Sequence, residues 1–575
     1  MPRSKPFSGK QKKLQLQTKR QTKKDRAEGQ FGGAVSHTRR RPTFDSCSSE
    51  SDESLTSSVD QLSFAAEKIC RKLKSANPKS RDRYKLLLKD ESQEEILEKK
   101  KRAMQPYSPK SPQEMECGVG QFYDPPIMFP VRPPWDYSLS PEELDNREYF
   151  YFRRYCKEII SNEGLSYCEL NLETWRQLWR VLEMSDILLH IVDVRYTPLH
   201  FNPKLYEYVT HELQKQLIVV LNKCDIVPAD VVTAWKHYLL KEFPKLDVVV
   251  FTSFPKDEET RQALAKGKQS RRRRKKSSAI GPLELWNVCN KLVKQEVNID
   301  SWRDKIQRDL TSKYGRRESD SDQSDCEVEE GIEKRFKPDL RYSEHSKYKG
   351  GVLTIGCVGY PNVGKSSVIN GLIGRKVVSI SKTPGHTKHF QTIFLTKNVK
   401  LCDCPGLVFP STAPRPIQVL AGMYPVAQLR EPYSVVQYLA ERCDLPACLG
   451  LRLPEDEKEW SAYLICDELA ELKGFKTARG ARTNPYRAAN WILRASLEGK
   501  MFIYLIPPDY CENKKKWEDD PETLSLIESQ KCRLATVSSQ YDYQSVVSFP
   551  DDDDSSSEDN FSSAAVNPFS SLKSC

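Results

Sequence analysis

Eight residues, Gly359-Tyr-Pro-Asn-Val-Gly364-Lys365-Ser366, limit what this 575-residue chain can be more than any other feature. They fit G-x-x-x-x-G-K-[ST]. They follow the apolar run Leu353-Thr-Ile-Gly-Cys-Val-Gly359, read as a strand, and Ser367–Leu372 opens a helix. Strand, glycine loop and helix in that order let backbone N–H groups curl around phosphate oxygens. Gly359, Asn362, Val363, Gly364 and Ser367 then lie against the nucleotide, Lys365 reaches the β/γ-phosphates, and the Ser366 hydroxyl ligates Mg²⁺.

Three further apolar runs have the same character: Ile187–Asp193, Leu217–Asn222 and Val248–Ser253. Short, nearly continuous apolar runs with room for crossover helices between them predict an α/β fold with a doubly wound, mostly parallel sheet. Asn222-Lys223-Cys-Asp225 ends the second run. N-K-x-D suits guanine, because the Asp carboxylate accepts from N1–H and the exocyclic amine, a donor pair that adenine lacks. Thr252 and Ser253 end the next run and would bring backbone N–H groups near guanine O6; an ordinary strand-end turn explains them equally well. Asp403-Cys-Pro405-Gly406 follows Val399–Cys402. There Asp403 would hold Mg²⁺ through water and the Gly406 N–H would sense the γ-phosphate. Between the two phosphate-side motifs lies Thr383-Pro-Gly-His-Thr387. Thr387 is the better candidate to complete the Mg²⁺ shell, since the Pro-Gly turn presents it from a loop. Lys365, Thr387 and Gly406 form the candidate catalytic set, and Ser366, Thr387 and Asp403 the candidate metal set.

The order of these motifs is unusual. Most guanine-nucleotide switches carry the phosphate loop first, but here Asn222 precedes Gly359 by 137 residues. Base-side motifs followed by phosphate-side motifs imply a cut and rejoined connectivity. Together with Asp193-Val-Arg195 and Thr383-Pro-Gly-His-Thr-Lys-His389, the set resembles the circularly permuted GTPases related to the YlqF/YawG group, over about 140–510. The resemblance implies a permuted P-loop GTPase domain, GTP/GDP and Mg²⁺ as ligands, and work on a pre-ribosome. It also implies a hydrophobic residue in place of the catalytic Gln, and here that place is Leu407. Intrinsic hydrolysis is therefore expected to be slow, with a partner's group or K⁺ held by Asn362 supplying the rest; a tight turn that suits Asn is the competing account of Asn362. His386 and His389 read as solvated loop histidines.

Charge is segregated. The net +11 of the whole chain equals that of residues 1–42 alone, which hold thirteen Lys and Arg against Asp25 and Glu28. Such an arm suits a polyanion or a nuclear import receptor, or is a solubilising tail. Asp45–Ser54 is a Ser/acidic tract with the composition of phosphorylation sites. The expected plan is a disordered arm at 1–60, a helical segment and Pro-rich linker at 61–140, and a GTPase domain at 141–410 with a charged insertion at 256–347. A helical C-terminal domain at 411–510 and an acidic, Ser-rich tail at 511–575 complete it. Arg487, Arg494 and Lys500 interspersed with Phe475, Tyr486 and Trp491 suit RNA, or are a solvated helix face. No run of about 18 apolar residues predicts a membrane span. The N-terminus lacks a secretory apolar stretch, so the 17 Cys are expected to be reduced thiols in an intracellular chain. Nucleus and nucleolus with shuttling to the cytoplasm are the expected compartments. The functional expectation is a slow GTPase switch in ribosome biogenesis; the alternative is a GTP-dependent scaffold in nuclear signalling with negligible hydrolysis. The oligomeric state is left open.

Overall fold

Six strands form one sheet in the order β3-β2-β1-β4-β6-β5. The computed structural model describes residues 92–136, 138–160, 165–253, 279–311, 346–379, 390–477 and 482–534. Strands β1 (Ile187–Asp193), β2 (Gln216–Asn222), β3 (Leu246–Phe251), β4 (Leu353–Val358) and β6 (Val399–Asp403) are parallel, and β5 (Gln391–Thr396) runs antiparallel to β6. All seven residues of β1 are buried, so both faces of the sheet are covered. Helix α3 (Leu172–Met184) packs on β4, α4 (Ala229–Glu242) and α5 (Pro282–Val293) on β3, and α7 (Lys365–Ile373) on β6. β1 pairs with both β2 and β4, so chain order departs to either side of it. That switch point is where open α/β sheets bind ligands, at the carboxyl ends of the strands. Asp193 lies opposite Asn222 in the register, and Cys357 opposite Asp403.

Two helices occupy the stretch from Pro141 to Met184, which the sequence pattern reads as one helical region. Ser140 and Glu143 exchange backbone and side-chain hydrogen bonds at the start of α2 (Pro141–Ile160). Asn171 caps α3 by accepting from the Glu173 N–H. After β6 the chain builds a helical layer: α8 (Arg415–Leu420), α9 (Tyr433–Ala440), α10 (Ala462–Leu472) and α11 (Pro485–Leu497). Ser461 and Asn484 cap the last two. Helix α1 (Gln93–Ala103), with its Ser92/Glu95 capping box, packs on α9.

Three expectations about boundaries need correction. The Pro-rich stretch is no linker: Met115, Val119, Phe122, Tyr123 and Phe129 are buried, Cys117 N–H donates to the Ile506 carbonyl (2.9 Å), and Thr412 N–H to that of Phe122 (2.8 Å). Proline hides periodicity but does not prevent burial against distant segments. The middle of the expected insertion belongs to the core, since Leu285, Cys289 and Val293 of α5 and Trp302 of α6 (Asp300–Thr311) are wholly buried. The expected tail starts too early. Helix α12 (Pro521–Leu534) packs on α4, with Thr523 fully buried and its hydroxyl bonded to that of Thr233 (2.8 Å). Lys236 of α4 pairs with Glu284 (3.0 Å) and with Glu522 of α12 (2.5 Å). The basic arm 1–42, Asp45–Ser54, Arg271–Lys276, Glu318–Glu330, Thr383–His389 and Asp551–Asp559 lie outside the described residues. Among the described residues no helix is long and apolar enough to cross a membrane, and the twelve cysteines from Cys117 to Cys511 are free thiols.

Candidate functional site

The phosphate loop leaves β4 through Gly359, whose φ of +148° is open to glycine and whose absent Cβ would lie 2.5 Å from the Ile191 carbonyl oxygen. Asn362 (φ +59°) and Gly364 (φ +101°) turn the chain into α7. A Cβ on Gly364 would stand 2.3 Å from Asn222 Nδ2. Glycine is required there because the base-side motif already occupies the space.

Lys365 is buried and folds its ammonium onto the loop's own carbonyls, Gly359 (3.1 Å) and Tyr360 (2.6 Å). Burial lowers its pKa, and Asp403 nearby opposes that shift. The Ser366 hydroxyl donates to Asp403 Oδ2 (2.9 Å). Asp403 itself is fully buried, and its Oδ1 has no hydrogen-bond partner among the described residues. Burial pushes its carboxyl up to about 6, against the opposing pull of Lys365 and Ser366. An orphaned carboxylate oxygen beside a hydroxyl is the donor set a hard divalent cation takes, so these residues fit Mg²⁺. Gly406 crowds the same corner: a Cβ would meet Pro361 Cα at 2.7 Å and Lys365 Nζ at 3.0 Å. Pro405 beside it is buried, and Ser367 is half-buried in the first turn of α7. Thr387 lies outside the described residues.

On the other side, β2 ends in Asn222, whose Nδ2 donates to the Val363 carbonyl (2.8 Å). Lys223 adopts φ +64° and donates to the Asn362 carbonyl (2.8 Å) and to Asp193 Oδ2 (2.8 Å). Asp225 is half-buried and accepts from the Thr252 hydroxyl (3.3 Å), which also lies 2.8 Å from Cys224 Sγ. Ser253 is buried, its hydroxyl without a partner among the described residues. Asn222, Lys223, Gly364 and Val363 are thus brought into contact across about 140 residues of sequence, with Asp225 and Thr252 at the open end.

The sequence gives Leu407 only as the residue in place of a catalytic Gln, and its neighbours no role. Leu407 is wholly buried, and its N–H points at the Gly359 carbonyl (3.3 Å). Val408 accepts from the Glu169 N–H (2.8 Å). Phe409 meets Phe129, Trp175 and Tyr360 with ring centroids 5.4–5.6 Å away. The Tyr360 hydroxyl lies 2.8 Å from that of Tyr123, which donates to the Leu199 carbonyl (2.6 Å). The apolar run Leu407-Val-Phe409 was the only signal of this packing in the sequence. Farther out, the Lys473 ammonium covers the Trp491 ring (4.5 Å) and the Arg487 guanidinium covers Phe475 (4.7 Å).

A mostly parallel sheet whose N-K-x-D begins at the end of β2 and whose phosphate loop follows β4 is that of a circularly permuted P-loop GTPase. Residues 354–445, the phosphate-side half, match the family model described as 50S ribosome-binding GTPase. The chain is 45% identical over 551 residues to guanine nucleotide-binding protein-like 1 of Mus musculus, covering 92% of this chain and 90% of that protein. It is 46% identical over 548 residues to the Homo sapiens protein of that name, covering 92% and 89%. Large subunit GTPase 1 homolog of Rattus norvegicus is 32% identical over 440 residues, covering 66% of this chain and 67% of that protein. The GDP-bound structure of TM YlqF aligns over 58% of this chain and all of its own at 16% identity and a TM-score of 0.31, too loosely to fix a fold. The chain belongs to the guanine nucleotide-binding protein-like 1 family of circularly permuted GTPases.

Proposed function

We propose that this GTPase is a slow, Mg²⁺-dependent switch acting on an RNA-rich particle in large-ribosomal-subunit assembly. The observation that carries the switch is the path of the loop after Asp403. It runs from the γ-phosphate edge straight into the C-terminal layer, anchored by Leu407, Val408 and the aromatic setting of Phe409. A γ-phosphate that draws in the Gly406 N–H therefore pulls on Phe409 and the helices beyond it.

Slow hydrolysis follows from Leu407. Where many GTPases orient water with Gln, this buried apolar side chain offers no hydrogen bond. Ser366 and Asp403 would hold Mg²⁺, with Thr387 as a further candidate, and the ion neutralises charge on the β- and γ-phosphates when bound. Asn362 Nδ2 donates to the Gly422 carbonyl (2.9 Å), so only its amide oxygen would be offered to K⁺. K⁺ or a partner's cationic group would then supply what Leu407 lacks.

The ribosomal direction is supported by the family model's description and by the name of the large-subunit relative. The +11 arm supports RNA contact and nuclear import through a receptor, with nucleolar residence and shuttling, and the Asp45–Ser54 tract supports phosphorylation. Lys473 and Arg487 already cover Trp491 and Phe475, which favours contact with an RNA backbone over base stacking there. Wholly buried Leu407 also suits a scaffold that binds GTP and hardly hydrolyses it.

Single-turnover hydrolysis in KCl and NaCl, with and without large ribosomal subunits, separates these readings. The switch is expected to be slow alone and to accelerate with subunits or K⁺; because those supply the missing group and position 407 is packed in the core, Leu407→Gln is expected to change the intrinsic rate little. A rate unmoved by every addition favours the scaffold.

A further inference from the structure

The motifs account for Asn222, Lys223 and Asp225 but leave no task for Arg195, whose side chain is 3% exposed beneath them. Asp193 closes β1 opposite Asn222, with 1% of its side chain exposed. Arg195 grips that carboxylate three ways: N–H to Oδ1 (3.2 Å), Nε to Oδ1 (3.0 Å) and Nη2 to Oδ2 (2.7 Å). Oδ2 also accepts from Lys223 Nζ, whose other hydrogen bond goes to the Asn362 carbonyl of the phosphate loop. Behind the guanidinium stands the C-terminal layer. Arg195 Nη1 lies 3.5 Å from the Ser496 carbonyl, the Arg195 carbonyl accepts from the Leu505 N–H (2.9 Å), and the Phe502 ring is 5.9 Å away.

The geometry points to Arg195 as a positioning residue for guanine recognition: through Asp193 it fixes the Lys223 ammonium against the phosphate loop and so sets the Asn222–Asp225 turn. Lys223 sits in the left-handed region, so its backbone does not hold the turn without help. Asp193 Oδ2 is a shared acceptor, and the fork of Arg195 fixes where it stands. A lysine at 195 would keep the charge yet could not grip both oxygens in one plane. The buried carboxylate would then shift, Lys223 would follow it, and the Asp225 carboxylate would lose its aim at the base. The same guanidinium faces α11, so the aim of the base site is tied to the seating of the C-terminal helices. This inference rests on the guanine reading of Asp225, and the test must tell the two apart.

The readout is the ratio of GDP to IDP affinity on the full chain, since inosine lacks the exocyclic amine that Asp225 accepts from. The unaltered protein is expected to prefer GDP by about tenfold or more, the worth of a hydrogen bond to a charged group. Arg195→Lys is expected to shrink that ratio at least about threefold, with a cooperative melting transition retained. A general loss of fold would weaken both nucleotides alike. In the Lys223→Gln background, Arg195→Lys should add nothing further to the ratio, because it acts through that ammonium. If Arg195→Lys does not fold, Lys223→Gln alone reads the same relay and must show the same collapse. An unchanged ratio in the folded variant, or fully additive effects, overturns the role of Arg195. An unaltered protein that binds GDP and IDP equally overturns the guanine reading instead.

Discussion

The base-side and phosphate-side edges of the candidate site are built on opposite plans. At the base edge the side chains are already engaged: Asn222 and Lys223 hold phosphate-loop carbonyls, and Asp193 beneath them is clamped between two cations. Burial alone would raise the Asp193 carboxyl, but Arg195 and Lys223 overcome it and hold the group well below the usual carboxylate range. At the phosphate edge Asp403 has one oxygen on Ser366, the other without a partner among the described residues, and a carboxyl near 6. The Asn222–Lys223 grip is made without ligand, whereas Asp403 keeps one oxygen without a partner among the described residues. A GTPase whose states differ at the γ-phosphate needs that asymmetry, with a fixed base grip and a phosphate side that changes when filled.

The largest effect should come where the edges meet. Gly364→Ala forces a Cβ into the space of Asn222 Nδ2 and an L side chain into left-handed backbone. Both edges fail together, so GDP affinity is expected to fall on the order of 100-fold or more, with about 1–2 kcal/mol lost from stability. Calorimetric titration and thermal melting measure the two. Retention of parental affinity would show that the edges do not touch as described.

Acid should separate the edges. Mg²⁺ needs Asp403 ionised, so Mg²⁺-dependent nucleotide affinity is expected to weaken as pH falls through about 6. Base discrimination should stay flat over that range, because Asp193 remains charged. The sign for the empty fold is opposite. A carboxyl raised in the folded state stabilises it when protonated, so this contribution grows as pH falls from above 6 towards 4. Asp403→Asn should therefore stabilise the nucleotide-free protein at pH 8, by order 1–3 kcal/mol, while removing the Mg²⁺ dependence of binding. Loss of stability at pH 8 would mean that the ionised carboxylate is satisfied in the empty fold.

What could be read from sequence divides along physical lines. β1, β2 and β4 were legible because strands covered on both faces are apolar throughout, and the motifs at their ends need only the right local turn. β5 escaped because it is an exposed edge, with Gln391 and Thr392 facing solvent and only Leu395 fully buried. The Pro-rich stretch around Met115–Phe129 and the end helix α12 misled for a shared reason: what buries them lies hundreds of residues away, in Ile506 and Thr412 for the first and in α4 for the second. The base-side and phosphate-side motifs meet through Asn222, Lys223, Asn362 and Val363, yet Arg195 was visible only as part of a family motif. Nothing local shows that its guanidinium faces both Asp193 and the carbonyl of Ser496.

The central claim is that a guanine-reading carboxylate just after β2 and a phosphate loop that begins 134 residues later serve one nucleotide. Equilibrium titration of GDP and XDP against the full chain carrying Asp225→Asn tests it most directly. Reversing the donor and acceptor at that one side chain is expected to weaken GDP at least about tenfold and to create XDP binding, inverting the preference. Unchanged GDP affinity with no gain of XDP would contradict the claim, because the base would then be read somewhere other than the end of β2.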